Sequence, residues 1–263
     1  MMPSRAAARS TSVTETVFET LRADILACRL PPGRKLKIGE LCTRLGVSLG
    51  AVREALSRLA AEGLVLAEAQ RGFQVTPVSA VDLADLTWTR IEIETLAIRQ
   101  AIAVGDVRWE AHIVATFHQF SRVPERDPMD PARLNDEWVE LHEAFHAALV
   151  QACDKSWLKR LRTMLYAQSE RYRRLSVPVR RGKRNVVAEH RAIMDAVLAR
   201  DADRACALMA EHLSLTTRIL LEAGLADGME PTGKSAAARR PLPRQAASWV
   251  EDTESHAVDT REP

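Results

Sequence analysis

Hydrophobic residues recur every three or four positions along most of this chain and alternate as in strands at only one place. Val13, Val17, Leu21, Ile25 and Leu26 predict a first helix over 13–28, closed by Pro31, Pro32 and Gly33. The segment IGELCTRL (38–45) predicts a short second helix. In GVSLGAVREALSRLAAEG (46–63), Val52, Ala55, Leu56, Leu59 and Ala60 form one stripe. Ser48 is placed to accept from the free N–H groups of that helix's first turn, and Gly63 stops it. Two short apolar runs, 64–66 and 73–75, flank Arg71 and Gly72 and predict a hairpin.

Two short helices joined by the tight turn Gly46-Val47-Ser48 and followed by a hairpin have the spacing of a helix-turn-helix with a wing. The third helix leaves Leu49, Gly50, Arg53 and Ser57 on its free face near the N-terminus, displayed as a probe. From Arg34 to Arg71 there are seven basic residues (Arg34, Lys35, Lys37, Arg44, Arg53, Arg58, Arg71) against four acidic ones (Glu40, Glu54, Glu62, Glu68). That excess suits phosphate, since neutralising phosphates releases counterions. The plainer alternative is a helical hairpin with solvated charges; turn, cap and wing together favour a DNA-reading head.

Beyond the hairpin, Ser79 to Asp82 carries a capping signature, and Leu83, Leu86, Ile93, Ala97 and Ala101 predict a long helix to about 104. Further stripes predict helices over 107–120, over 132–152 with Asp130 as cap, from 154 or 156 to just before Pro178, over 185–200 and over 202–223. No strand pattern follows the wing. The expected fold is mainly α: an N-terminal winged helix-turn-helix over 13–77, followed by an all-α helical bundle of about six helices over 78–224. Residues 1–12 and 225–263 are expected to be disordered, the latter being rich in Gly, Pro, Ala, Ser and charges without a period.

With 46% hydrophobic residues in 263, the chain can bury more than one small core, in keeping with a head and a second domain. A formal charge of +2 names no partner. No run of about 18 apolar residues is present to span a membrane. Cys28, Cys42, Cys153 and Cys206 are scattered without a CxxC pair and read as core residues in a reducing compartment, so a cytoplasmic protein is expected. The opening MMPSRAAARS lacks the apolar run of a secretory signal.

Polar residues in the middle of apolar stripes change this picture. His190 falls among Val186, Val187, Ile193, Met194 and Val197, and His212 among Leu208, Met209, Leu215 and Ile219. His142 and His146 stand one turn apart beside Trp138, Phe145 and Leu149. One histidine on an apolar face is ordinarily a hydrogen-bonded core residue. Four imidazoles from three helices aimed at one interior are better satisfied by a divalent cation, and neutral imidazole suits zinc, nickel, copper or iron. Arg90 lies on the stripe between Leu86, Ile93 and Ala97, where a guanidinium needs an anion. Either Glu94, one turn along, supplies it, or Arg90 grips the carboxylate of a small ligand through two parallel hydrogen bonds. Gln168 and Tyr172 are further candidates to line that cavity. The basic loop from Arg180 to Arg184 is either a solvated turn or a second DNA contact.

The stretch PGRKLKIGELCTRLGVSLGAVREALSRLAAEGLV, followed by QRGFQV, resembles the winged-helix domain of the GntR family of bacterial transcription regulators. The resemblance implies that Ser48 and Arg53 contact DNA phosphates or bases, with Lys37 and Gly50 beside them, and that the Arg71-Gly72 tip enters the minor groove. The family often has arginine where this chain has Gly39 and Leu49, so its operator is expected to differ from the common one. The segments RIEIETLAIRQAI, HEAFHAALVQAC and EHRAIMDAVLARDADRACALMAEHL resemble the helical effector domain of the FadR subfamily, the FCD type. That resemblance implies a metal held by an aspartate or asparagine one turn before a histidine, plus two further histidines. The matching positions are His142, His146, His190 and His212, with zinc the leading expectation. His142 stands where the acid is expected, so either the site has four imidazoles or His142 is swung away. The resemblance also favours the ligand-gripping role of Arg90.

Residues 142–146 are literally HExxH, the zinc-protease pattern. The longer continuation of that motif is missing at Leu149 and Ala152, and a protease fused to a DNA-reading head is a poor match. A third possibility is an architectural DNA-binding protein whose metal only staples the bundle. The expected function is a homodimeric repressor reading a near-palindromic double-stranded operator, with its affinity set by a small carboxylic acid bound at the metal site.

Overall fold

The computed structural model describes residues 12–68, 72–180 and 184–223. Both expected disordered ends, Arg71 and the centre of the basic loop lie outside the described residues. The head is built from α1 (Val13–Leu26), β1 (Lys35–Leu36), α2 (Ile38–Leu45), α3 (Leu49–Ala61), β2 (Val65–Glu68) and β3 (Gly72–Val75). The strands form an antiparallel sheet in the order β1-β3-β2, with Leu36 opposite Phe73 and Val65 opposite Val75. β1, only two residues long, is too short to show a period, and no strand was expected there. Gly46, at φ +66°, ends α2 in the left-handed region that costs a side chain dearly, and Gly63, at φ +72°, does the same behind α3. Ser48 caps α3 by accepting from Ala51 N at 3.3 Å. Val17, Leu21, Ile25, Val52, Leu56 and Leu59 fill the core beneath.

Six further helices follow among the described residues: α4 (Ala80–Val104), α5 (Val107–Ser121), α6 (Asp136–Leu149), α7 (Ser156–Val179), α8 (Val186–Leu198) and α9 (Ala202–Glu222). Side chains of Ser79, Asp106, Asn135, Asn185 and Asp201 cap five of them. α4 packs along α9 and α7, and α5 along α6 and α8. Phe117, Phe120, Trp138 and Phe145 meet at the centre of the bundle, each burial contributing about 2–3 kcal/mol. No described helix is long and apolar enough to cross a membrane.

A helix start, its cap and a helix end depart from the sequence expectation. α6 begins at Asp136, because an antiparallel bridge between Arg126 and Leu134 closes the proline-rich segment into a loop that ends at the cap Asn135. Asp130 closes a local turn through Ala132 N at 3.2 Å and starts no helix. α7 runs through Pro178 to Val179, since a proline in the last turn forfeits a single helix bond and Arg180 N still donates to Ser176 O.

The head rests on α7. Gln168 Nε2 donates to Glu62 O at 2.6 Å, Arg171 Nη1 donates to Thr76 O at 2.8 Å, and Arg171 Nη2 donates to Gln168 Oε1 at 3.1 Å. Arg171 is 1% exposed, so these bonds are made away from water and are correspondingly costly to break.

Candidate metal centre

Helical spacing delivers the four histidines to one point. His142 and His146 lie one turn apart on the buried face of α6, His190 sits mid-way along α8, and His212 faces them from α9. All four are buried, and one nitrogen from each lies within 4.8 Å of the others. His146 Nε2 is 3.2 Å from His142 Nε2 and 3.0 Å from His190 Nε2. Of the two alternatives for His142, the ring is not swung away; it stacks on Trp138 with centroids 4.7 Å apart and belongs to the cluster.

The surroundings prepare these rings as ligands. His190 donates Nδ1–H to Val186 O at 2.6 Å and His212 donates Nδ1–H to Glu189 at 2.8 Å, so both present an Nε2 lone pair to the centre. Burial, reinforced by Arg173 for His142 and by the neighbouring imidazoles for His146 and His190, holds these three well below the ordinary value of 6.5. Burial lowers His212 as well, with Glu189 pulling the other way. Burial works to raise the Glu189 carboxyl, but hydrogen bonds from Arg184 and His212 hold it at about 2. Neutral imidazoles are what a metal ion needs. The residues fit such an ion: His190 Nε2, a lone pair, lies 3.0 Å from His146 Nε2, and the four rings each bring one nitrogen within 4.8 Å of the others. A cation between them would take up inward lone pairs at the roughly 2.1 Å bond lengths of imidazole nitrogen to zinc.

Beside the cluster lies a cavity of about 40 Å³, lined by Arg90, Tyr166, Ser169, Arg173, His142 and His212 among others. Arg90 is the under-satisfied group. Its Nη1 donates to Ser169 Oγ at 2.8 Å, its Nη2 reaches Glu94 only at 3.4 Å, and its buried Nε has no partner among the described residues. Glu94, the internal anion expected for it, gives its shorter contact, 2.8 Å, to Arg162. One buried carboxylate is thus shared by two guanidiniums, and the cavity keeps an excess of positive charge. A larger open cleft of about 420 Å³ lies between the head and α7, but it gathers no set of buried polar groups.

Gln168 does not line the cavity. Tyr166, Ser169, Glu170 and Arg173 occupy the inward face of α7, and Gln168, off that period, turns to the head. Tyr172 lines the cavity, with its hydroxyl donating to Asp82 and accepting from Ser79 N. Two cavity residues, Tyr166 and Arg173, went unnoticed in the sequence. The i, i+3, i+4 and i+7 spacing of Tyr166, Ser169, Glu170 and Arg173 is the signal that places them on one face. Glu143 is exposed, outside the imidazole cluster. In the basic loop, Arg180 pairs with Glu125 and Arg184 with Glu189, which ties both to the bundle.

On the head, Lys37, Ser48, Gly50, Arg53 and Gly72 are exposed, with Gly50 and Arg53 on the first turns of α3. Lys37 pairs with Glu40, Arg44 with Asp24 and Arg58 with Glu15, so part of the basic excess is spent within the head.

Residues 13–75 match the model of bacterial regulatory proteins of the gntR family, and residues 85–215 match the FCD domain. The chain is 45% identical over 214 residues to a protein of Paraburkholderia xenovorans (strain LB400) named as the uncharacterized HTH-type transcriptional regulator BphR, covering 81% of this chain and 87% of that one. It is 34% identical over 213 residues to the HTH-type transcriptional repressor GlaR of Escherichia coli (strain K12), covering 78% and 94%. The fold is similar to that of E. coli McbR/YncC, with a TM-score of 0.67 at 20% identity over 80% of this chain and 98% of that one.

Proposed function

This chain belongs to the GntR family of bacterial transcription regulators, with an FCD domain behind its DNA-binding head, and on that premise we propose that it is a repressor controlled by a small carboxylic acid. The observation that carries the reading is the under-satisfied Arg90 in a positively charged cavity directly beside four buried imidazoles. His146, His190 and His212 would hold a divalent ion, zinc or nickel by ligand type, with His142 beside them. Bound there, the ion supplies a Lewis-acidic position for a carboxylate oxygen. Arg90 would take the acid's other oxygen through paired N–H groups.

The path to DNA runs along α7. Its inward face lines the cavity and its outward face, through Gln168 and Arg171, holds the backbone of Glu62 and Thr76 on either side of the wing. A cavity of about 40 Å³ has room for only two or three waters, so an acid must widen it, and any shift of α7 is passed to the head. The acid can bias this equilibrium only by the difference of its affinities for the two arrangements. A homodimer with two such heads would read the halves of a near-palindromic operator.

Thermal-shift screening of metal-loaded protein against small organic acids tests this. The expected result is stabilisation by an acid only when metal is present, lost in Arg90→Ala while DNA binding persists; Glu94 keeps Arg162 in that variant. A normal acid response in Arg90→Ala removes the ligand assignment. Unfolding by chelator without any acid response favours a purely structural metal.

A further inference from the structure

His142 differs from the other three imidazoles in what surrounds its Nδ1. Arg173 Nη1 lies 2.5 Å from it and the Tyr166 hydroxyl 3.1 Å from it. A guanidinium offers five N–H donors, no acceptor, and does not give up its proton in a protein. Arg173 is itself fixed, with Nε donating to Glu170 Oε2 at 3.0 Å, Nη2 donating to the same oxygen, and its plane over Trp138 at 5.2 Å. Burial keeps the Tyr166 phenol protonated and able to donate. His142 Nδ1 therefore accepts, and the neutral ring carries its proton on Nε2, the nitrogen 3.2 Å from His146 Nε2 at the edge of the cluster nearest that ring. An N–H cannot be a metal ligand. Coordination through Nε2 would require a proton on Nδ1, donor against donor at 2.5 Å from Arg173.

We infer that His142 is not a fourth ligand but the hydrogen-bond donor that recognises the effector: three imidazoles hold the ion, and His142 Nε2–H meets the acceptor oxygen in the position left open. The inference rests on the metal-and-carboxylate reading above. It gives that position a chemical selectivity. A carboxylate oxygen keeps a lone pair for His142 after binding a metal, whereas an amine or thiol brings hydrogens or no comparable acceptor. Arg173 acts as a positioning residue, setting the tautomer from behind.

Two measurements on the full chain test it. In zinc-loaded protein with nitrogen-labelled histidine, long-range proton–nitrogen NMR correlations should show His142 protonated on Nε2 with a free Nδ1. A zinc-bound Nε2 and a protonated Nδ1 on His142 overturn the inference. In chelator competition, His142→Gln should keep zinc affinity within about threefold, whereas His146→Gln should lose more than about 100-fold, beyond what removing a supporting partner costs. Acetate, followed by the visible absorption of cobalt-loaded protein, should bind at least about tenfold more weakly to His142→Gln, as the loss of a hydrogen bond to a charged group demands. Zinc loss in His142→Gln equal to that in His146→Gln refutes the donor role and leaves the metal site standing. A native protein that binds neither zinc nor cobalt sinks the proposed function, and this inference with it.

Discussion

The histidine cluster makes the metal-free protein sensitive to acid, chiefly because its rings are buried. His142, His146 and His190 are 3%, 1% and 0% exposed, and burial holds all three well below 6.5. The unfolded chain takes up protons near 6.5 that the folded one refuses, so these rings leave stability unaffected above that value and reduce it as pH falls below. Each contributes up to about 1.4 kcal/mol per pH unit, so three lower the stability by up to about 4 kcal/mol between pH 7.5 and 5.5. Glu189, held at about 2 against an ordinary 4.5, stabilises fully above 4.5 and loses its contribution only below, so it does not act in this window. Against a domain stability of about 5–15 kcal/mol, the change is large. Denaturant titrations of chelator-treated protein at pH 7.5, 6.5 and 5.5, read by circular dichroism and by the fluorescence of Trp138 stacked on His142, would measure it. Zinc should delay the loss to lower pH, because protons must then displace the ion. A metal-free stability that changes by less than about 1 kcal/mol over this range would show that the rings are not held neutral and dry.

Three further outcomes follow from other contacts. Glu189→Gln weakens the grip on His212 and should lower zinc affinity by about 10–100-fold in chelator competition, with little change if His212 is not a ligand. Ser48→Ala removes the cap of α3 and should cost about 1 kcal/mol in denaturant unfolding; a neutral result would mean that water replaces the hydroxyl. Arg171→Ala leaves Thr76 O and Gln168 Oε1 without their donor and should destabilise the protein by about 1–3 kcal/mol while weakening the acid response of DNA binding, measured by fluorescence anisotropy. An unchanged acid response in that variant would break the proposed path along α7.

Much of the architecture was legible because it is written in local rules. The cap at Ser48, the left-handed stops at Gly46 and Gly63 and the stripe Val52, Ala55, Leu56, Leu59 need only neighbours within a turn or two, and they set the head in place. The inward placement of His142, His146, His190 and His212 follows from the same 3.6-residue period. Misplaced boundaries came where local signals compete: Asp130 is as good a cap as Asn135 until the Arg126–Leu134 bridge decides between them.

Periodicity in the chain determined which side chains turn inward, and with them the kind of chemistry the bundle can hold. Only the assembled structure decided whom they meet, because partners come from helices far apart in sequence. Glu94 goes chiefly to Arg162 and leaves Arg90 wanting, Gln168 leaves the cavity for the head, and Arg173 sets the proton of His142. A pattern along one helix specifies direction; hydrogen bonding and charge pairing depend on distances of about 3 Å, which packing alone fixes.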